Sequence, residues 1–133
     1  MNKLISDPSE APAVLTGKTI LVVDDDPCFR DLTVTILSRA GYQVEEAADG
    51  IEAIQRASGS QIDLVITDIV MPNREGIETI RYLSKALPNV PIVAISGNSS
   101  YLRPAKALGA AATLEKAAVA ADLLGTVQSV IGC

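Results

Sequence analysis

The sequence predicts an α/β domain built on a doubly wound, five-stranded parallel sheet of order 2-1-3-4-5, and three observations predict it. Short apolar runs alternate with longer segments of helical period along the chain, the pattern of a parallel sheet flanked by helices. Runs 20–23, 62–67 and 92–95 are almost continuously apolar, as strands covered on both faces must be. A length of 133 residues, 48% hydrophobic and 20% charged, is one domain's worth of chain with enough apolar surface for a core, which excludes a disordered protein.

Residues 1–17, with Pro8, Pro12 and Gly17 and no periodicity, are expected to be a flexible N-terminal leader, and the folded domain to occupy 18–133. The first strand, 20–23, is closed by Asp24, Asp25 and Asp26. A helix is expected next, because Asp26 suits its N-cap and Pro27 its first turn, with Phe29, Leu32, Ile36, Leu37 and Ala40 on one face and Gly41 at its end. Residues 42–47 read as the second strand, and Asp49-Gly50 turns into a short helix holding Ile51, Ala53 and Ile54. The third strand, 62–67, ends at Asp68. Pro72 and Gly76 shape the following loop, and Ile77, Ile80, Leu83 and Leu87 mark the third helix. Pro91 opens the fourth strand, which ends at Ser96. A weak fifth strand at 111–114 precedes Lys116 and a last helix over about 118–131.

Strand character fixes the order. The second strand ends in Glu45-Glu46 and the fifth is mostly alanine, so both belong at edges, whereas an order of 3-2-1-4-5 would bury the polar second strand. The order 2-1-3-4-5 is that of a flavodoxin-like sheet, with its switch point between strands one and three. Ligands bind there, outside the carboxyl ends of the strands, where Asp24, Asp25 and Asp68 are expected.

Composition narrows the chemistry. A net charge of −5 argues against direct nucleic-acid binding, which needs clustered Lys and Arg. The absence of His excludes a His-based zinc site or His catalysis, and the two cysteines, Cys28 and Cys133, form no CxxC pair. With no signal peptide and no apolar run of membrane-spanning length, a reduced, cytoplasmic setting is expected. Three converging carboxylates repel one another, so the site either protonates one of them or binds a cation, and Mg2+ is the economical choice. Ser96 and Lys116 reach the same rim, and a metal, a hydroxyl and an ammonium together suit a phosphoryl group. Each residue has a plainer reading: Asp26 as only a helix cap, Ser96 as a turn residue, Lys116 as a solvated charge and Cys28 as a small buried thiol. The agreement of four strand ends favours the site.

Residues 20–27 (ILVVDDDP), 63–72 (DLVITDIVMP) with Gly76, 92–97 (IVAISG), and Gly109-Ala110 before Leu114 and Lys116 resemble the receiver domain of bacterial two-component response regulators. The resemblance implies that Asp68 accepts a phosphoryl group from a phosphohistidine on a sensor histidine kinase or a histidine phosphotransfer protein. It further implies that Asp25 binds Mg2+ directly and Asp24 mainly through water, with Asp68 and the Val70 carbonyl as the remaining protein ligands. Ser96 and Lys116 would then contact the phosphoryl group, and phosphorylation would switch a protein-binding surface.

The chain departs from the family pattern in four places. Ala117 stands where proline usually follows the lysine, Thr113 replaces an aromatic residue, and the stretch from Ser96 to Gly109 is shorter and contains Pro104, which disfavours helix at Arg103. A short or remodelled fourth helix is therefore expected. The chain also stops just after the last helix, which fits a stand-alone receiver, a monomer or weak homodimer acting on a downstream protein. Two other functions compete. A pseudo-receiver would bind partners without phosphorylation. A haloacid-dehalogenase-type phosphohydrolase would use Asp24 as nucleophile, although Pro27-Cys28 depart from that motif and no acidic pair follows Lys116.

Overall fold

The computed structural model describes the backbone of residues 16–69 and 74–132 and the side chains of 16–69 and 78–132. Strands β1 (Thr19–Val23), β2 (Gln43–Ala47), β3 (Leu64–Asp68), β4 (Ile92–Ser96) and β5 (Ala112–Glu115) form one parallel sheet in the expected order, β2-β1-β3-β4-β5. Helices α1 (Pro27–Arg39), α2 (Gly50–Gly59), α3 (Arg74–Ala86), α4 (Leu102–Ala107) and α5 (Val119–Ile131) complete the fold. Every residue of β3 and β4 is buried, whereas β2 and β5 are partly exposed, which is the burial that the polar and small residues of the edges require.

Alternation along the strands divides the core in two. Leu21, Val23, Val65, Ile92 and Ala94 face Ala53 and Ala57 of α2, Ile80 and Leu83 of α3, and Ala105 of α4. Ile20, Val22, Leu64, Ile66, Val93 and Ile95 face Leu37 of α1 and Leu123 and Val127 of α5. Helices on both faces force the strand ends to meet solvent only at the rim, and the carboxyl rim carries the acidic residues.

Three local expectations need revision. Leu32 is 44% exposed, and the buried stripe of α1 runs through Thr33 and Leu37 instead. The Thr33 hydroxyl donates to the Phe29 carbonyl at 3.0 Å, so its burial leaves no polar group unpaired. Arg103 is helical despite Pro104. The proline is the third residue of α4, where a missing N–H removes no helical bond, and a 3-10 turn over Ser99–Tyr101 brings the chain into that short helix. At the start, Thr16 already donates to the Gly41 carbonyl at 3.2 Å, so contacts with the domain begin before Lys18. The rest of the expected leader, and Pro72 of the loop after β3, lie outside the described residues.

The two faces of α1 and the centre of the sheet make a direct comparison. Ile66→Ala, at 1% exposure in the middle of β3, is expected to destabilise the domain by about 2–5 kcal/mol in urea unfolding. Leu32→Ala is expected to stay within about 0.5 kcal/mol of the parent. A Leu32 effect as large as that of Ile66 would contradict the placement of α1.

Candidate functional site

The sheet delivers the acidic residues and the loops fix them. Asp24 follows β1 and donates its N–H to the Ala47 carbonyl at 3.0 Å, so pairing with β2 extends one residue past the strand. Its Oδ1 accepts the Asp26 N–H at 2.9 Å, and its carbonyl accepts from Arg30 Nη1 at 2.6 Å. Arg30 Nε in turn meets Glu46 Oε1 at 3.0 Å and ties α1 to the edge strand. Asp26 caps α1 by accepting the N–H groups of Cys28 and Phe29, its expected role. Asp68 ends β3 opposite Ile95 of β4, and the Ile69 N–H donates to the Ile95 carbonyl just beyond it. Lys116 follows β5. Its ammonium lies 3.1 Å from Asp68 Oδ2 and 4.7 Å from the centroid of the Phe29 ring.

Asp24, Asp25 and Asp68 converge: one carboxylate oxygen from each lies within 4.8 Å of the others. Asp24 and Asp68 are buried, while Asp25 is exposed. Apart from the ion pair with Lys116, both Asp68 oxygens are buried without a hydrogen bond. Burial drives the Asp24 carboxyl up to about 6; the Asp26 N–H and the Lys116 charge oppose the rise, and repulsion from Asp68 and Asp25 adds to it. Burial also raises Asp68, against the opposing pull of the Lys116 contact and, more weakly, of Asp24. For Lys116, burial alone acts downward, but the Asp68 bond and the charges of Asp68, Asp24 and Asp26 outweigh it and hold the ammonium above its ordinary value.

The donor set fits Mg2+. Hard carboxylate oxygens are its preferred protein ligands. Ligands on opposite sides of such an ion lie about 4.2 Å apart, so small side-chain rotations bring this cluster into range. Asp68 adds desolvated oxygens to the set, of which Oδ2 is offset by the Lys116 ammonium at 3.1 Å. The expected Val70 carbonyl lies outside the described residues.

The other rim residues divide. Ser96 is where it was expected, at the end of β4 and 1% exposed, but its hydroxyl is engaged in the turn reading: it donates to the Asn98 carbonyl and accepts the Asn98 N–H, both at 3.0 Å. Asn98 itself caps the Ser99–Tyr101 turn through its side chain. Cys28 is exposed rather than buried, because the second position of α1 faces outward from the cap. Arg30 and Phe29 were not legible as site residues. Their only sequence signal is position in the first turn after the acidic triplet, and their partners come from β2 and from beyond β5. A groove of about 890 Å3 opens beside the cluster, lined by Asp24, Asp25, Asp68, Ile51 and Tyr82 among others. Thr113 lines a separate, shallow hollow with Leu102 and Arg103. No helix among the described residues is long and apolar enough to cross a membrane.

Residues 20–128 match the family described as the response regulator receiver domain. The transcriptional regulatory protein YrkP of Bacillus subtilis (strain 168) is 48% identical over 83 residues, which is 62% of this chain and 35% of that protein. The sensor protein EvgS of Escherichia coli (strain K12) is 39% identical over 92 residues, 68% of this chain and 8% of that protein. The chain thus spans 35% or less of the length of these two relatives. Among solved structures, the response regulator protein TrrA of Thermotoga maritima, in complex with Mg2+-BeF, is similar with a TM-score of 0.76 at 31% identity, covering 85% of this chain and 98% of that one.

The raised Asp24 value sets a pH dependence. Between 3.8 and about 6 the folded state keeps a proton that the unfolded chain has released, so this contribution is full below 3.8 and is lost as pH rises through about 6. Without divalent cations, the melting temperature is expected to fall between about pH 4 and 7, and Asp24→Asn to flatten that fall. Added Mg2+ is expected to stabilise more at the upper end, where the carboxylates are ionised. An equal Mg2+ effect at both ends would refute the account.

Proposed function

This chain belongs to the response regulator receiver domain family, signalling domains phosphorylated on an aspartate by sensor histidine kinases, and we propose that Asp68 is the phosphoacceptor here. One observation carries the reading: Asp68 is a buried carboxylate that accepts no backbone N–H among the described residues, its Oδ2 held 3.1 Å from one ammonium and the group lying beside two further carboxylates. A purely structural aspartate at a strand end would accept backbone N–H groups, as Asp26 Oδ1 does at the start of α1.

Phosphoryl transfer from a phosphohistidine of a sensor kinase or phosphotransfer protein then follows from the side chains present. An Asp68 oxygen attacks phosphorus in line with the P–N bond. The O–P bond forms as the P–N bond breaks, and the leaving imidazole nitrogen keeps the electron pair and takes up a proton. No general base is needed, since the nucleophile is already a carboxylate. Asp24, Asp25 and Asp68 are the groups that would hold Mg2+, which supplies charge neutralisation and polarises the phosphoryl oxygens. Lys116 balances charge on the opposite side, and Ser96 donates to a phosphoryl oxygen once its bond to Asn98 is released. Phosphorylation adds about −1.5 to −2 charges, enough to bias a two-state surface that a downstream protein reads. The sensing and transcriptional roles named for EvgS and YrkP belong to those longer proteins.

Incubation with phosphoramidate or acetyl phosphate and Mg2+, followed by mass analysis of peptides, is expected to place one phosphoryl group on the peptide holding Asp68. Asp68→Asn is expected to abolish labelling, and Lys116→Ala to slow it by about 100-fold, the scale of losing one charge-stabilising donor. Labelling that persists in Asp68→Asn and disappears in Asp24→Asn would instead establish the phosphohydrolase chemistry. Absence of any Mg2+-dependent label would leave a phosphorylation-independent binding module.

A further inference from the structure

Lys116 is held from two sides. Its ammonium lies 3.1 Å from Asp68 Oδ2 and 4.7 Å from the centroid of the Phe29 ring. Phe29 belongs to the first turn of α1 and packs against the core on the α1 and α5 face of the sheet. By strand alternation Asp68 shares that face, in phase with Leu64 and Ile66. Three distant parts of the chain therefore meet at one cation.

A cation within about 6 Å of a ring centroid is drawn to the negative face of the ring, more strongly where water is excluded. The Lys116 side chain is 29% exposed and that of Asp68 2%, so the contact is partly desolvated. Little else constrains the lysine stem. It opens a 3-10 turn over Lys116–Ala118 that has no side-chain cap, and Gly97 beside it leaves room, since an added Cβ there would sit 3.9 Å from Lys116 Cδ. The ring is better anchored. The Phe29 N–H donates to Asp26 Oδ1 at 3.4 Å, its carbonyl accepts the Thr33 hydroxyl, and its side chain packs against the core.

We propose that Phe29 is a positioning residue for phosphoryl transfer, its ring face holding the Lys116 ammonium against Asp68 before a phosphoryl donor arrives. The inference rests on the reading of Asp68 as phosphoacceptor. It assigns to α1 a part in the chemistry that the acidic residues alone do not require.

The test uses Phe29→Leu, which keeps apolar packing without a ring, and Phe29→Tyr, which keeps the ring, each alone and combined with Lys116→Ala. With phosphoramidate and Mg2+, Phe29→Leu is expected to label about 3- to 10-fold more slowly and Phe29→Tyr within about twofold of the parent. In the Lys116→Ala background, Phe29→Leu is expected to change nothing, because its effect passes through the lysine. In NMR spectra, the ring should shift the Lys116 ε-methylene protons upfield in the parent and in Phe29→Tyr, and the shift should vanish in Phe29→Leu. Labelling of Phe29→Leu at the parent rate, an equal slowing with and without Lys116, or no ring-current shift in the parent overturns the proposal while leaving Asp68 as acceptor. A parent protein that takes no label on Asp68 sinks the phosphoacceptor reading and this proposal together, so the two failures are distinguishable.

Discussion

Everything at the carboxyl rim follows from putting three carboxylates and a single ammonium where the sheet leaves little water. Asp24 and Asp68 are buried at the ends of neighbouring strands, and among the described residues Lys116 is the cation that pairs with Asp68. Burial in this crevice penalises the ionised carboxylates and is the main reason both acids are raised rather than lowered, with a smaller contribution from like-charge repulsion. A domain stabilised for its own sake would place apolar or neutral groups there. The fold instead invests backbone pairing in holding them: Asp24 is tied to β2, to the Asp26 N–H and to Arg30, and Asp68 is the last rung of the β3–β4 ladder.

The sheet was legible because polar residues are poorly tolerated between two layers of helices. Glu45 and Glu46 put β2 at an edge, and the unbroken apolar runs of β1, β3 and β4 put those strands inside. The phase of α1 was legible through Phe29, Ile36, Leu37 and Ala40 and misread only at Leu32. At 100° per residue, a stripe centred on Thr33 takes in Phe29, Ile36, Leu37 and Ala40 and leaves Leu32 at its margin. A threonine that bonds its own helix looks polar in sequence and behaves as core, whereas the leucine looks like core and lies outside. For α4, the steric bias before Pro104 was real but smaller than the gain from starting a helix over β4 and β5, with Ala105 fully buried.

At the site, the acidic residues were legible for a topological reason: side chains at the carboxyl ends of adjacent parallel strands are neighbours whatever the details of packing. Lys116 reaches the same rim from β5, two strands from Asp68. Arg30 and Phe29 were not legible in this way, since their partnerships depend on how α1 leans across the sheet, and a spacing along the chain carries no information about that lean. Cys28 shows the same gap in reverse, a small side chain beside the crevice that the cap of α1 turns toward solvent.

The Ser96 turn has a mechanical consequence. Its hydroxyl and the backbone of Asn98 close a small reciprocal ring, and the Asn98 carboxamide in turn receives the N–H and hydroxyl of Ser100. Drawing the Ser96 oxygen toward the rim would cost both bonds of that ring, and their partner, Asn98, is the residue that caps the turn leading into α4.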